Sequence, residues 1–391
     1  MYAVLYFAAP ILGEFYQDAL LPSLLRVQAI ILFFGAFSSV QNAVLAKNLD
    51  FKKSFIINFG GCVSQGIVGV VLALNGWEIW SLVFAQIANS AIVVFLGFIV
   101  VDWHPTRDFS IVRIKSLYAF GKNILLASLL ETLCNNVYSL AIGKVYSKQA
   151  LGFYNRGQSI PSMLTNTIDG SIQGVLFPAL STYQNDLKKM KVLMRRSIRV
   201  SCYLVFPVMA GIIGVATPLI KVLLTDKWLP AVPFLQMSCL SMAFFPIHTA
   251  NLQAINAIGR SDIYLKLETL KKILLFAVLF ITLHFSIYAV MFGSVVCSAL
   301  SVVINSWPNK KLFDYSLREQ IKDILPTMLL ACAMGGIISL LSRNLFFSDI
   351  VNLIFLVIIG IAIYVSGSFI FKIEELKYLK DSIMQLMKKR Y

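Results

Sequence analysis

Apolar runs of helix length recur along the whole chain, parted by short polar turns. Each full run can cross about 30 Å of hydrocarbon at about 1.5 Å per residue. The pattern predicts twelve helices, at about 1–14, 27–46, 55–74, 79–101, 120–142, 151–181, 200–224, 233–256, 269–285, 287–307, 323–342 and 350–371. The first is short for a crossing, and Met1 opens directly into it. It lacks the basic start and small-residue cleavage site of a signal peptide. It reads as the second half of a helix whose start is missing.

One stretch, Tyr118 to Ser181, departs from a purely apolar pattern. It predicts two spans joined by the polar hinge Gly143 to Lys148. The first carries Glu131, Asn135 and Asn136; the second carries Asn155, Arg156, Gln158, Asn166, Asp169 and Gln173. Ionisable groups at bilayer depth are costly, and they face a protein interior or a wet cavity. This hairpin is therefore expected to line a polar cavity through which a charged or sugar-bearing cargo passes.

Composition agrees with the pattern: 58% of residues are hydrophobic and 14% charged, with a mean hydropathy of +0.78. A soluble chain could not hide that much apolar surface. The net charge of +15 could suggest nucleic acid, but the cations alternate between connections. Twenty-seven of the 34 Lys and Arg residues fall on one side of the predicted helices, which makes that side cytoplasmic and places both chain ends there. Anionic phospholipid head groups, rather than nucleic acid, are the expected partners of those basic segments. The six cysteines lie singly in apolar runs, without a Cys–Xaa–Xaa–Cys pair, and His104, His248 and His284 are scattered. The cysteines read as small core residues, and no metal or cofactor is expected.

Four breaks organise the chain. Residues 1–101 form a first bundle, and 102–119 a cytoplasmic amphipathic linker in which Ile111, Ile114, Leu117 and Tyr118 share a face. Residues 120–312 form a second bundle and 313–372 two further, peripheral helices. Residues 373–391 form a basic tail with apolar positions at helical spacing on the inner leaflet. At an offset of 208 the chain also matches itself: Leu21-Pro22 meets Leu229-Pro230, Gln28 meets Gln236, Asn48 meets Asn256 and Lys52 meets Arg260. Two parallel copies in the same orientation follow, a known transporter plan.

The segments Ala9 to Tyr16, Leu24 to Val27, Ile142 to Lys144 and Leu151 to Arg156 resemble those of lipopolysaccharide and polysaccharide biosynthesis flippases. So do Val175 to Ser181, Lys227 to Pro233, Gly259 to Asp262 and Leu265 to Glu268. The resemblance is to the colanic and teichuronic acid exporter-like branch of the multidrug/oligosaccharidyl-lipid/polysaccharide superfamily, and it spans essentially the whole chain. It implies an all-α polytopic protein of the bacterial inner membrane, with two bundles around a central cavity. It implies outward movement of an undecaprenyl-pyrophosphate-linked oligosaccharide by alternating access, and a glycan polymerase as a further partner. The parent has fourteen helices, so this chain is expected to lack the first two and part of the third.

A lipid-linked cargo needs a polar cavity for its sugars and a cation for its diphosphate. Arg156 is the first candidate and Lys144 the second; the competing reading for both is a side chain reaching the outer head groups. Asn135, Asn136, Asn166 and Gln173 suit sugar hydroxyls, although amides also join helices. Glu131, Asp169 and His248 are candidates for gating or for binding a coupling ion, against structural pairing. A cation-coupled small-molecule antiporter of the same superfamily is the alternative function. An enzyme is not expected, because the chain has neither a long outer loop nor a nucleophile–base constellation.

Overall fold

The structure, a computed structural model, describes residues 2–48, 50–101, 103, 110–184, 186–342, 348–378 and 381. Among them it is all helix. The order is α1 (Tyr2–Tyr16), α2 (Leu21–Gln28), α3 (Ile31–Asn48), α4 (Phe51–Leu74), α5 (Glu78–Val100), α6 (Ile111–Val145), α7 (Lys148–Thr182) and α8 (Leu187–Gly214). There follow α9 (Ala216–Leu224), a 3-10 turn (Asp226–Ala231), α10 (Val232–Met242), α11 (Phe245–Ala257), α12 (Ser261–Thr282), α13 (Ile287–Phe313), α14 (Leu317–Leu341) and α15 (Asp349–Ile370). Eight helical stretches among the described residues, α2–α3 and the 3-10 turn through α11 each counted once, are long and apolar enough to cross a membrane. The protein is a multi-pass α-helical membrane protein.

Each expected span is present as a helix, but many are longer than the apolar run that revealed them. The expected outer loop 15–26 shrinks to four residues. Asp18 accepts the Leu20 amide at 3.0 Å and Pro22 sits in the first turn of α2, where its missing N–H costs nothing. Residues 111–119 of the expected linker are the first turns of α6; residues 102 and 104–109 lie outside the described residues. The basic segment before residue 200 is continuous with its span in α8, which starts on an Asp186 side chain bonded to the Lys189 amide. α12 begins at Ser261, eight residues before the expected boundary. Of the tail, Glu374–Tyr378 are helical, and 379, 380 and 382–391 lie outside the described residues.

The chain divides into two compact units, Met1–Leu129 and Leu130–Tyr391. In unit 1, α4 and α5 pack closely along Gly60 and Gly61, which face Leu96 and Val93, and Gln65 takes a bond of 3.0 Å from Asn89 between them. A small core of Leu45, Ile57 and Val101 closes one end. The tight α4–α5 turn depends on Gly76 at φ +78°, where a side chain would be strained.

Unit 2 contains the larger core. α14 lies against α8 so closely that a Cβ on Gly335 would come 2.8 Å from the Ala210 carbonyl oxygen, and one on Gly214 would come 2.9 Å from that of Gly335. This is the small-residue contact that lets membrane helices approach. α14 starts on a capping box in which Ser316 and Glu319 satisfy each other's backbone amides. Toward the cation-rich side, four fully buried polar residues form a hydrogen-bonded lock across α11, α13 and α14. Asn251 accepts from Asn309 at 2.6 Å and from Gln320 at 3.1 Å, and Ser306 donates to Gln320 at 3.0 Å; Asn305, also buried, bonds instead to His248 at 3.2 Å.

The internal repeat reappears in the order of the elements, with boundaries that shift by up to a few residues between copies. α1 ends at Tyr16 and α9 at Leu224, which are 208 residues apart. In each copy a span-length helix follows, broken near its middle: at Ala29–Ile30 between α2 and α3, and at Ala243–Phe244 between α10 and α11. Each then reaches a basic turn, after which α4 and α12 start at Phe51 and Ser261. Gly259 at φ +73° makes the second of these turns, with the Arg260 amide bonded back to the Ile255 carbonyl.

Candidate functional site

A cavity of about 480 Å³ opens in unit 2, walled by α6, α7, α10, α11, α12 and α13. The wall residues follow helical spacing on every face. α12 contributes Tyr264, Glu268, Lys271, Lys272 and Leu275, α11 contributes Phe245, His248, Thr249, Leu252, Gln253 and Asn256, and α13 contributes Ser294, Cys297, Ser298 and Ser301. They recur every three or four residues, singly or as adjacent pairs, so one stripe of each helix faces the space. Cys134, Asn135 and Tyr138 of α6 and Tyr154, Gln158, Asp169 and Gln173 of α7 complete the polar lining. α14 and α15 contribute none of it; their buried residues pack into the unit 2 core instead.

One hydrogen-bonded carboxylate and one ion pair set the electrostatics. Asp169 accepts hydrogen bonds from Thr249 Oγ1 and, at 2.7 Å, from Gln173 Nε2, which ties α7 to α11. Lys271 meets Glu268 at 2.6 Å in a half-buried ion pair one turn apart on α12. Lys272 has no carboxylate within ion-pair distance among the described residues; its Nζ donates to Asn135 Oδ1 at 3.4 Å. Among the described residues the cavity wall thus holds one ion pair, and beside it an ammonium, Lys272, and a carboxylate, Asp169, that meet neutral partners.

The depth of that ammonium follows from register. Tyr146 donates to the Leu283 carbonyl at 2.9 Å, joining the ends of α6 and α12. Asn135 and Lys272 each lie eleven residues further in, about 16 Å along parallel axes. Lys272 also lies eleven residues from the start of α12. It therefore sits midway along α12, at the end of the half of that helix that carries its charged residues.

His248 is held between Ser298, 3.5 Å from Nε2, and Asn305, whose Nδ2 lies 3.2 Å from Nδ1. Ser298 Oγ donates onward to the Ser241 carbonyl at 2.6 Å. With that proton committed, Ser298 can only accept from Nε2–H, which leaves Nδ1 to accept from Asn305. The imidazole is thus placed as a neutral bridge between Ser298 in the cavity wall and the buried Asn305.

A family model described as "Polysaccharide biosynthesis protein" matches residues 1–233. The chain belongs to this family. Among relatives, the Teichuronic acid biosynthesis protein TuaB of Bacillus subtilis (strain 168) is 24% identical over 341 residues, covering 86% of this chain and 70% of TuaB. The Succinoglycan biosynthesis transport protein ExoT of Rhizobium meliloti (strain 1021) is 23% identical over 241 residues, covering 61% of this chain and 49% of ExoT. The fold matches that of the Lipid II flippase MurJ in an inward closed conformation, with a TM-score of 0.75 at 16% identity, over 95% of this chain and 80% of that one. For this family member the sequence and the structure together define the fold, and the cavity supplies the chemistry.

The structure brings together Asn135, Gln173, Asp169 and His248 of the residues singled out from the sequence. It does not bring Arg156, Lys144, Asn136, Asn166 or Glu131 to the cavity wall. The Arg156 guanidinium lies 5.5 Å over the Trp228 ring. Lys144 is exposed in the last turn of α6, Asn136 donates to the Thr132 carbonyl on its own helix, and Asn166 and Glu131 are exposed. Sequence reasoning missed Glu268, Lys271 and Lys272, having assigned the two lysines to a basic inner turn. The signal that would have found them is their own spacing: with α12 started at the Gly259 turn, Tyr264, Glu268 and Lys271–Lys272 fall on one stripe. The cysteines read as core residues divide: Cys202, Cys239 and Cys297 are buried, whereas Cys62 and Cys332 are exposed on their helices.

Proposed function

We propose that this protein moves a lipid-linked polysaccharide precursor across the bacterial inner membrane, with the saccharide head passing through the unit 2 cavity by alternating access. The observation that carries the reading is Lys272, an ammonium halfway along α12 with no carboxylate within ion-pair distance among the described residues, in a cavity whose wall also carries Asp169, the Lys271–Glu268 pair, amides, hydroxyls and aromatic rings. Amides and hydroxyls suit sugar hydroxyls, and rings such as those of Tyr138, Tyr154 and Tyr264 offer flat apolar faces to sugar rings. The ammonium suits a phosphate or diphosphate, as a point charge at a desolvated site. The volume lies in the range of pockets that hold small ligands, roughly 300–1,000 Å³, so a short saccharide head fits and the long apolar tail stays in lipid.

The known relatives support a glycan cargo: TuaB is named for teichuronic acid biosynthesis and ExoT for succinoglycan transport. Neither name favours a drug antiporter. The cargo is proposed to be carried on undecaprenyl pyrophosphate, and the cation-rich side, with the C-terminus, to be cytoplasmic. Lys272 and Asn135 would hold the anionic head group, and Asp169, through Thr249, would couple α7 to α11 as the cavity changes access.

The test is a deletion strain, complemented or not, in which undecaprenyl-linked glycan is quantified on each leaflet. Deletion should trap the glycan on the cytoplasmic leaflet and complementation should release it. Normal appearance of the glycan on the outer leaflet without the gene would overturn the proposal.

A further inference from the structure

A second cavity, of about 530 Å³, lies at the cation-rich end of α8 and is separate from the site above. It is lined by Arg195, Arg196 and Arg199 of α8 and by Glu374, Glu375 and Tyr378 of the segment after α15, with Val192 and Val200 at its flanks. From this cavity we infer a binding site for the phosphate of an anionic phospholipid head group, with Arg196 as its anchor and Glu374 as the group it displaces.

Depth is the first argument. From Val200 to Ile220 the chain carries no charged residue, between Arg199 and Lys221. Those 21 residues of α8 and α9 span about 31 Å, the thickness of the hydrocarbon. α15 gives the same answer from the other side, because residues 350–371 are uncharged and Lys372 and Glu374 follow at once. Arg195, Arg196 and Arg199 therefore stand just outside the hydrocarbon edge, level with lipid phosphates. Basic pockets between helices at this level are where acidic head groups bind.

The charge inventory is the second argument. Arg195 is committed to Asp323 at 2.5 Å, a carboxylate that is itself buried and also accepts from Tyr315. Arg199 is committed to the buried Glu375, and meets Glu374 at 3.0 Å as well. Glu374 is 80% exposed, so it can leave for water at little cost. Arg196 has no carboxylate within ion-pair distance among the described residues; its guanidinium stacks 3.7 Å over the Tyr378 ring. A stacked guanidinium keeps its edge donors free, and that edge fits a phosphate in two parallel bonds.

Shape is the third. Val192, Arg196 and Val200 are spaced by four along α8 and so form one stripe. Val192 is 64% exposed. An acyl chain can lie along Val200 toward the hydrocarbon while the phosphate bridges Arg196 and Arg199. A soluble phosphate would share the cationic contacts but gain nothing from the valine.

The test places the full-length protein in nanodiscs of phosphatidylcholine, with and without phosphatidylglycerol, and counts the lipid retained by native mass spectrometry. Wild-type protein should retain phosphatidylglycerol in preference to phosphatidylcholine. Arg196→Ala should weaken that retention about five-fold, the equivalent of ~1 kcal/mol for one basic residue at an anionic surface. Glu374→Gln, a change at an exposed side chain that does not threaten folding, should strengthen it. Equal retention of the two lipids, no effect of Arg196→Ala, or weaker binding in Glu374→Gln would each overturn the inference. Displacement of the bound lipid by inorganic phosphate would also overturn it, by making the pocket a soluble-anion site.

Discussion

Replacing Lys272 with Met separates transport from stability, because the two terms have opposite signs. Met keeps the length and apolar character of the lysine stem and removes the ammonium. In the empty protein the lost contact is a single long hydrogen bond to Asn135, 3.4 Å from Nζ, at the weak end of the ~0.5–1.5 kcal/mol range for such bonds. Against it stands relief from holding a cation in the cavity wall with no carboxylate within ion-pair distance among the described residues. The variant should therefore insert and melt at least as well as wild type. Binding should respond the other way. A hydrogen bond to a charged group contributes ~1.5–3 kcal/mol, so loss of the only carboxylate-free cation among the described residues of the cavity should weaken binding of an anionic lipid-linked saccharide about 10–150-fold. The assay pairs thermal unfolding in detergent with binding and flipping in proteoliposomes, using the same preparation. Wild-type flipping by Lys272→Met would refute the anion-anchor argument. A drop in melting temperature matching the loss of flipping would refute it as well, by showing Lys272 to be structural.

Two further substitutions test the frame around the cavity. Gly335→Ala puts a Cβ 2.8 Å from the Ala210 carbonyl oxygen, a backbone atom that cannot swing aside, and should cost ~1–3 kcal/mol by overpacking. Gly336→Ala, one residue on and with nothing within 4 Å, should be neutral or stabilising by up to ~1 kcal/mol; equal melting of the two variants would contradict the close α8–α14 contact. Asn251→Ala strands the buried amide donors of Asn309 and Gln320, at ~1–3 kcal/mol each. It should lower the unfolding midpoint sharply, whereas Asn166→Ala on an exposed face should stay within ~0.5 kcal/mol.

The fold was largely legible because hydropathy and the membrane obey the same length rule. Every expected span corresponds to a helix, and the 208-residue offset found between Leu21-Pro22 and Leu229-Pro230 reappears in the ends of α1 and α9. The errors are one-sided: α6 and α7 each run for 35 residues and α8 for 28, well beyond the ~20 that hydrocarbon requires. Hydropathy reports the part of a helix inside the oil. The remainder continues into the head-group layer, where Arg195 or Lys189 is soluble and helical at once, so the helix ends had to come from caps such as Asp186 rather than from polarity.

The site was half legible, and the same cause explains the missing half. Amides and acids inside an obvious span, such as Asn135 and Asp169, stand out against apolar neighbours and were found. Lys271 and Lys272 escaped because a long basic side chain near a span boundary has two homes, the head-group layer or a cavity, and composition weights the first. Only the position of the helix start decides between them. Once Gly259, with its positive φ, ends α11 and Ser261 opens α12, Lys272 falls eleven residues into that helix, on the stripe that faces the cavity. Its ammonium meets the Asn135 amide, and no carboxylate lies within ion-pair distance among the described residues. Glu268 is taken by Lys271 at 2.6 Å and Asp169 by Thr249 and Gln173, so the wall carries two carboxylates and two lysines with one ion pair between them. Under the proposed function a phosphate of the cargo would meet Lys272, which would tie one glycine turn to the chemistry of the cargo.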